Sequence, residues 1–390
     1  MTDVARIARA IREAGLTGWL FYNQFHRDEI SDLALGIPRG VHNSRPWAYV
    51  VPADGEPTRI VHAIEPGILD RLPGRLVRCT ARDELFAAVA AAAGPGARLA
   101  AQFSTAFPVS SFLDHGTAQL VERAGIRLVS SEELIVDCLG TLDAEAEASH
   151  RRAALALHDV VHAAWARIRS AFTAGTVVHE ADAQEWIADL VAGAGLETDG
   201  LLLVAAGEGS ADPHYEPSGR GRRFARDDVV QLDLWAREPG DRTVYADISW
   251  VGVLSPCPSA EQERVFAAVV AARERAASAI DAGLSAGITG ASVDRAVREL
   301  LADRGFAAGL RHRTGHSIGT RVHGYGVNLD SVEFPDRRRL REGSCFSIEP
   351  GIYLERFGMR TEVDGLVRGG RLEITGGPPQ SRLLDLGAGT

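Results

Sequence analysis

The chain has 390 residues, 45% hydrophobic and 24% charged, with a formal net charge of -10. That is long enough for two domains with a sizeable core, and the composition is that of an ordinary globular protein. The acidic balance argues against nucleic acid or an anionic membrane surface as partner. The longest apolar run, residues 85–94, falls far short of the roughly 20 residues a membrane-spanning helix needs. All 42 basic residues are arginine. This excludes a Schiff-base lysine and a Walker phosphate loop, and with them pyridoxal-phosphate enzymes and P-loop NTPases.

Residues 2–15 carry apolar positions at helical spacing among early charges, which predicts an amphipathic helix and not a signal peptide. A cytoplasmic location is the corresponding expectation. Segments 18–22, 47–51, 58–62, 97–101 and 126–130 read as strands, with helices over 81–93 and 110–124 between them. The first stretch is thus expected to be a small α/β domain, residues 1–140. Residues 142–172 form a long helical pattern with an acidic first turn, which complements the helix dipole. The second domain, 141–390, is placed from there. His158 and His162 on this helix are i, i+4 neighbours, but no HExxH pattern accompanies them, and a packed or solvated helix face is the reading. Cys79, Cys138, Cys257 and Cys345 form no CxxC pair, which predicts buried free thiols in a reducing compartment.

Beyond that helix the pattern predicts a helix over 178–193 and strands over 200–206, 228–237 and 243–253. Helices over 259–282 and 291–304 follow, then paired strands over 345–354 and 359–367. Strands cluster with strands and helices with helices, so the fold class expected for the whole is α+β.

Five residues in this half point to chemistry: Asp233, Asp247, His316, Glu349 and Glu362. Each stands in a short apolar or turn-rich context, where a lone buried charge is costly. The two aspartates lie on strands joined by AREPGDRT, and the two glutamates on strands joined through Gly358, so two hairpins each deliver two carboxylates. The near-equal spacing of the two pairs hints at a pseudo-twofold relation between the halves. Four carboxylates facing each other would raise one another's pKa values, and two divalent cations remove that problem. Oxygen-dominated ligation with one imidazole suits Mn, Co, Fe or Zn. His312, His316 and His323 lie together beside glycines in HRTGHSIGTRVH, and His214 stands in a Pro/Gly-rich loop.

These residues carry a resemblance. GHSIG, the following VH, FSIEPGIY, MRTE, LDLW and YADIS resemble the motifs of the pita-bread metallopeptidase family (M24): methionine aminopeptidases, Xaa-Pro aminopeptidases and prolidases. The resemblance covers residues ~140–370. The preceding part is more loosely similar to the creatinase/prolidase-type N-terminal domain. It implies a C-terminal pita-bread fold and two divalent metal ions, Mn first and Co, Zn or Fe as alternatives. Asp233 would bind one metal, His316 and Glu349 the other, and Asp247 and Glu362 would bridge both, with a bridging hydroxide as nucleophile. Glu349 would also shuttle a proton. His214 and His323 match the family's substrate- and intermediate-stabilising histidines, and Arg360 a carboxylate-orienting position.

Three departures stand out: the Asp pair is more widely spaced than usual, over residues 236–243; Trp235 replaces a common glycine; Gly324 replaces a common acid. The expectation is an Xaa-Pro dipeptidase (prolidase) acting on proline-containing peptides. An Xaa-Pro aminopeptidase, a non-peptidase pita-bread hydrolase and a non-catalytic binding protein are the alternatives. A homodimer is implied by the resemblance alone.

Overall fold

The structure, a computed structural model, describes residues 3–387. It divides into two compact units, the first ending at Leu139 and the second beginning at Gly140.

In the first unit, Asp3 caps helix α1 (Val4–Glu13) by accepting the Arg6 N–H, and Ile7, Ala10 and Ile11 form its buried stripe. Six strands form one mixed sheet: β1 (Gly18–Asn23), β2 (Trp47–Pro52), β3 (Thr58–His62), β4 (Arg75–Cys79), β5 (Arg98–Ala101) and β6 (Arg127–Ser130). Their order is β4-β3-β2-β1-β5-β6. The five expected strands are present. The sequence pattern misses β4, an edge strand whose outward arginines mask its alternation. It also misses the short helix α2 (Glu29–Leu35), capped by Asp28 and closed by Gly36 at φ 62°. Helix α3 (Arg82–Ala93) stands close to its expected span. Helix α4 (His115–Arg123) starts later than expected, because residues 108–110 make a separate turn and Asp114 caps the helix at Thr117. Helix α5 (Glu132–Leu139) ends the unit.

The second unit uses one plan twice, a helix pair followed by antiparallel strands. The first set is α6 (Ala144–Thr173), α7 (Glu180–Gly193), β7 (Leu203–Ala206), β8 (Val229–Ala236) and β9 (Ala246–Val253). The second is α8 (Ala260–Gly283), α9 (Gly290–Asp303), β10 (Cys345–Ile348), β11 (Gly351–Tyr353), β12 (Gly358–Arg360), β13 (Val363–Arg368) and β14 (Arg371–Ile374). The sheets run β7-β8-β9 and β10-β13-β14, with β11-β12 as a separate pair.

Asp143 starts α6 by accepting the Ala146 N–H, and Leu157, Val161, Ala164, Trp165 and Ile168 bury its inner face. They meet Leu232, Leu234 and Ala236 of β8 and Ile248 and Trp250 of β9 in one core. Each fully buried aliphatic side chain here contributes about 1.5–3 kcal/mol. Strand alternation sends Asp233 and Trp235 to the opposite face, and they are the two half-open positions on β8.

Two expectations are corrected. The segments 345–354 and 359–367 are not continuous strands. Each breaks, and Glu349 and Glu362 sit at the breaks. Pro350 has no N–H to offer a ladder, so pairing stops at Ile348↔Val363 and resumes at Gly351↔Arg360. The four cysteines are free, but only Cys79 and Cys345 are buried; Cys138 is half-buried and Cys257 exposed.

Candidate metal centre

The β8–β9 register places Asp233 opposite Ser249 and Asp247 opposite Trp235, so the two aspartates are diagonal neighbours on one face. Glu362 joins them because its N–H donates to the Ser249 carbonyl at 2.9 Å. His316 lies in an extended segment laid along β10, where the Ser347 N–H donates to the His316 carbonyl (2.8 Å) and the His316 N–H to Ser347 Oγ (2.9 Å). Gly315 permits this approach: a Cβ there would stand 2.0 Å from the Ser347 carbonyl oxygen. The Glu349 N–H donates to the Thr314 carbonyl at 2.8 Å, bringing the last carboxylate in.

Asp247, His316 and Glu362 are buried, and their ligand atoms lie within 4.8 Å of one another. His316 Nδ1 lies 3.2 Å from the Ser317 carbonyl, which fixes that nitrogen as the donor and leaves Nε2 as a lone pair. Nε2 faces Asp247 Oδ2 and Glu349 Oε1, each at 3.5 Å. A lone pair turned on two carboxylate oxygens is unfavourable unless a cation lies among them. Asp247 Oδ1 and Glu362 Oε1 are buried with no hydrogen-bond partner. Such oxygens are costly to leave unmet, so the donor set fits a divalent cation.

The electrostatics agree. Burial, followed by the charges of Asp233 and Glu349, pushes Asp247 well above the usual carboxylate range. Burial and then Asp247 do the same to Glu362. Burial also pushes Glu349 upward, but the neighbouring His316 and His312 imidazoles and the Arg360 guanidinium outweigh it and hold this carboxylate below its usual range. Burial keeps His316 neutral, as a metal-binding imidazole must be.

Asp233 stands apart from the triad. It accepts from Ser249 Oγ and is paired with the Arg360 guanidinium. Arg360 donates further to Ser249 Oγ (3.0 Å) and Tyr353 Oη (2.9 Å), and its Nε lies 3.8 Å from Glu349. Tyr353 Oη lies 2.7 Å from His312 Nε2. Sequence patterning does not single out Tyr353 or Ser249. Both lie inside the motifs PGIY and YADIS, and period-two alternation from Asp247 points to Ser249.

The His323 ring centroid is 4.3 Å from that of His316. The neighbouring His316 imidazole and then burial depress its pKa to about 4, with Arg313 and His214 adding to the effect. His214 itself is exposed on its loop, its N–H on Asp212. His158 and His162 pack edge-on against Trp250 as a helix face.

Residues 148–369 match the model of metallopeptidase family M24. The Xaa-Pro dipeptidase of Lactobacillus helveticus is 32% identical over 201 residues, which is 51% of this chain and 50% of that protein. The probable dipeptidase PepE of Mycobacterium tuberculosis is 29% identical over 367 residues, 92% of this chain and 89% of that protein. Among solved structures, dipeptidase PepE from Mycobacterium ulcerans superposes with a TM-score of 0.73 at 26% identity, covering 98% of this chain and 96% of that one. This likeness bears out the α+β fold with a C-terminal pita-bread unit.

Proposed function

The chain belongs to metallopeptidase family M24, and on that premise we propose that it hydrolyses Xaa-Pro dipeptides with two divalent metal ions. One observation carries the reading: three ligand atoms within 4.8 Å, beside buried oxygens of Asp247 and Glu362 that no protein group satisfies. The names of the Lactobacillus and Mycobacterium relatives support dipeptides as the substrate.

Asp247 and Glu362 would hold both ions, with His316 and Glu349 completing one set of ligands and Asp233 the other. When bound, such ions lower the pKa of water and stabilise an oxyanion. The oxygen-rich donor set supports manganese, with cobalt, zinc or iron as substitutes.

An Xaa-Pro bond is a tertiary amide, so its leaving nitrogen must acquire a proton. Glu349, ionised in its resting state, takes one from the attacking water and gives it to that nitrogen. His323, neutral at pH 7, serves as a hydrogen-bonding group to the scissile carbonyl, and His214 contacts the substrate from the outer rim. Arg360 orients Asp233 through its guanidinium, with Tyr353 and His312 fixing the arginine from behind. Catalysis is thereby assigned to residues 141–390. A cytoplasmic homodimer belongs to the same reading and rests on the family resemblance.

The test is hydrolysis of Ala-Pro and of Ala-Pro-Ala by metal-free protein and after adding Mn, Co or Zn, with Asp247→Ala as control. Metal-dependent dipeptide cleavage, lost in the variant, is the expected result. Cleavage of the tripeptide alone would make the protein an aminopeptidase. No cleavage together with no bound metal would end the metallopeptidase reading for this chain.

A further inference from the structure

Trp235 lies on the same face of β8 as Asp233, two residues along, and directly opposite Asp247 in the strand register. Among the β8 residues only these two, Asp233 and Trp235, are half-open. The indole is held in place. Its Nε1 donates to Asp199 Oδ1 at 3.0 Å. The ring packs against a buried cluster that includes Tyr245 and Ile318, and Val322, the residue before His323, packs against the same cluster.

The neighbouring chain is shaped around it. Leu203 pairs with Asp233 and Glu197 bridges to Arg237, so residues 198–202 bulge opposite residues 234–236. At the crest of this bulge a Cβ on Gly200 would come 3.3 Å from Trp235 Cζ2. Ring, bulge and aspartate hairpin form one wall.

The charges of the site give a dipeptide a direction. The β8–β9 hairpin supplies the acidic end through Asp233 and Asp247, which suits an α-ammonium group. Arg313, whose guanidinium charge reaches both His316 and His323, supplies the basic end. A dipeptide so oriented sets its N-terminal residue beside Trp235.

We propose that Trp235 is the specificity-determining residue for the N-terminal side chain, a fixed wall that admits small Xaa residues and turns away bulky ones. The inference rests on the dipeptidase reading above. An apolar wall of this size discriminates by excluded volume, at about tenfold or more per added group.

The test compares Ala-Pro, Leu-Pro and Phe-Pro as substrates of the manganese-loaded wild type, Trp235→Gly and Asp199→Asn. The wild type should prefer Ala-Pro. In Trp235→Gly the ratio of kcat/KM for Phe-Pro to that for Ala-Pro should rise at least tenfold, through KM. Asp199→Asn, which loosens the ring without removing it, should shift the ratio the same way by less. An unchanged ratio overturns the proposal. A falling ratio overturns it too, because the ring would then be a stacking platform. If Trp235→Gly shows no cooperative thermal melt, Trp235→Leu replaces it with the same expected direction. If the wild type cleaves no dipeptide, the function reading fails by itself. Calorimetric binding of Ala-Pro and Phe-Pro to wild type and variant then still decides: a rise in relative Phe-Pro affinity supports the wall, and equal or absent binding overturns it.

Discussion

Each unit sets a histidine among carboxylates, His26 half-buried in the first and His316 buried in the second, and the two clusters are built oppositely. In the first unit His26 Nδ1 is 2.8 Å from Asp32 Oδ2 and Nε2 is 2.6 Å from the Val41 carbonyl, so both nitrogens donate. Asn23 donates to Asp32 Oδ1 at 3.0 Å, and Asp28 accepts the Ser31 N–H at 3.0 Å and the Ser31 hydroxyl. In the second unit His316 Nε2 stands off two carboxylates at 3.5 Å, and the Asp247 and Glu362 oxygens find no donor. Both clusters remove charge from water at a cost. The first offsets that cost with its own hydrogen bonds and is a structural network. The second leaves the cost unmet, the signature of a site completed by a cation.

The largest expected effect tests the second cluster. Asp247→Ala should lower kcat/KM on Ala-Pro by three orders of magnitude or more, on the order of 4 kcal/mol. In metal-free protein Asp247→Asn should leave the melting temperature unchanged or raise it, because it removes one of several crowded carboxylates. A large fall in metal-free stability would show that this cluster, like the first, is self-satisfied.

Next comes Asp28, whose pKa burial raises to about 7 from an ordinary 3.8. Its native form holds a proton that the unfolded form releases, so its contribution is complete below the unfolded value and is lost as pH rises through 7. The stability of Asp28→Asn relative to wild type should therefore grow from pH 4 to pH 8, by roughly 4 kcal/mol at 1.4 kcal/mol per pKa unit. Urea unfolding across that range measures it.

His150 carries the opposite sign. It is fully buried between the Tyr245 carbonyl (2.7 Å) and Thr375 Oγ1 (2.8 Å), and burial lowers its pKa to about 4. The unfolded imidazole binds its proton first, so stability is lost as pH falls from 6.5 toward 4. The advantage of wild type over His150→Gln should shrink by roughly 3 kcal/mol across that window. An advantage that stays constant with pH would show that the imidazole is charged in the native state. The smallest effect is that of the metal itself: manganese at about 100 times its dissociation constant should stabilise the protein by roughly 2.7 kcal/mol. The gain should show as a higher melting temperature in wild type and be absent in Asp247→Ala.

The sequence by itself determined the candidate ligand types and their order. Asp233, Asp247, His316, Glu349 and Glu362 are lone polar groups in apolar or turn-rich contexts, and a buried charge in such a context is rarely without purpose. It also determined α6, whose acidic start and apolar stripe are local signals, and the α+β class, which follows from the grouping of elements. It did not reveal the cluster of Asn23, His26, Asp28 and Asp32, because nothing local distinguishes an acid met by a distant donor from one left exposed.

Tertiary structure alone decided which candidate ligands meet. Asp247, His316 and Glu362 converge because Glu362 hydrogen-bonds across to Ser249 and His316 is laid along β10, contacts between residues far apart in the chain. It decided that Asp233 pairs with Arg360, that Glu349 and Glu362 sit at strand breaks, and that Trp235 faces Asp247. The physical reason is the same in each case. Residue type sets what a side chain can do, but register and strand breaks set what it faces, and a shift of one residue turns every side chain of a strand to the other face.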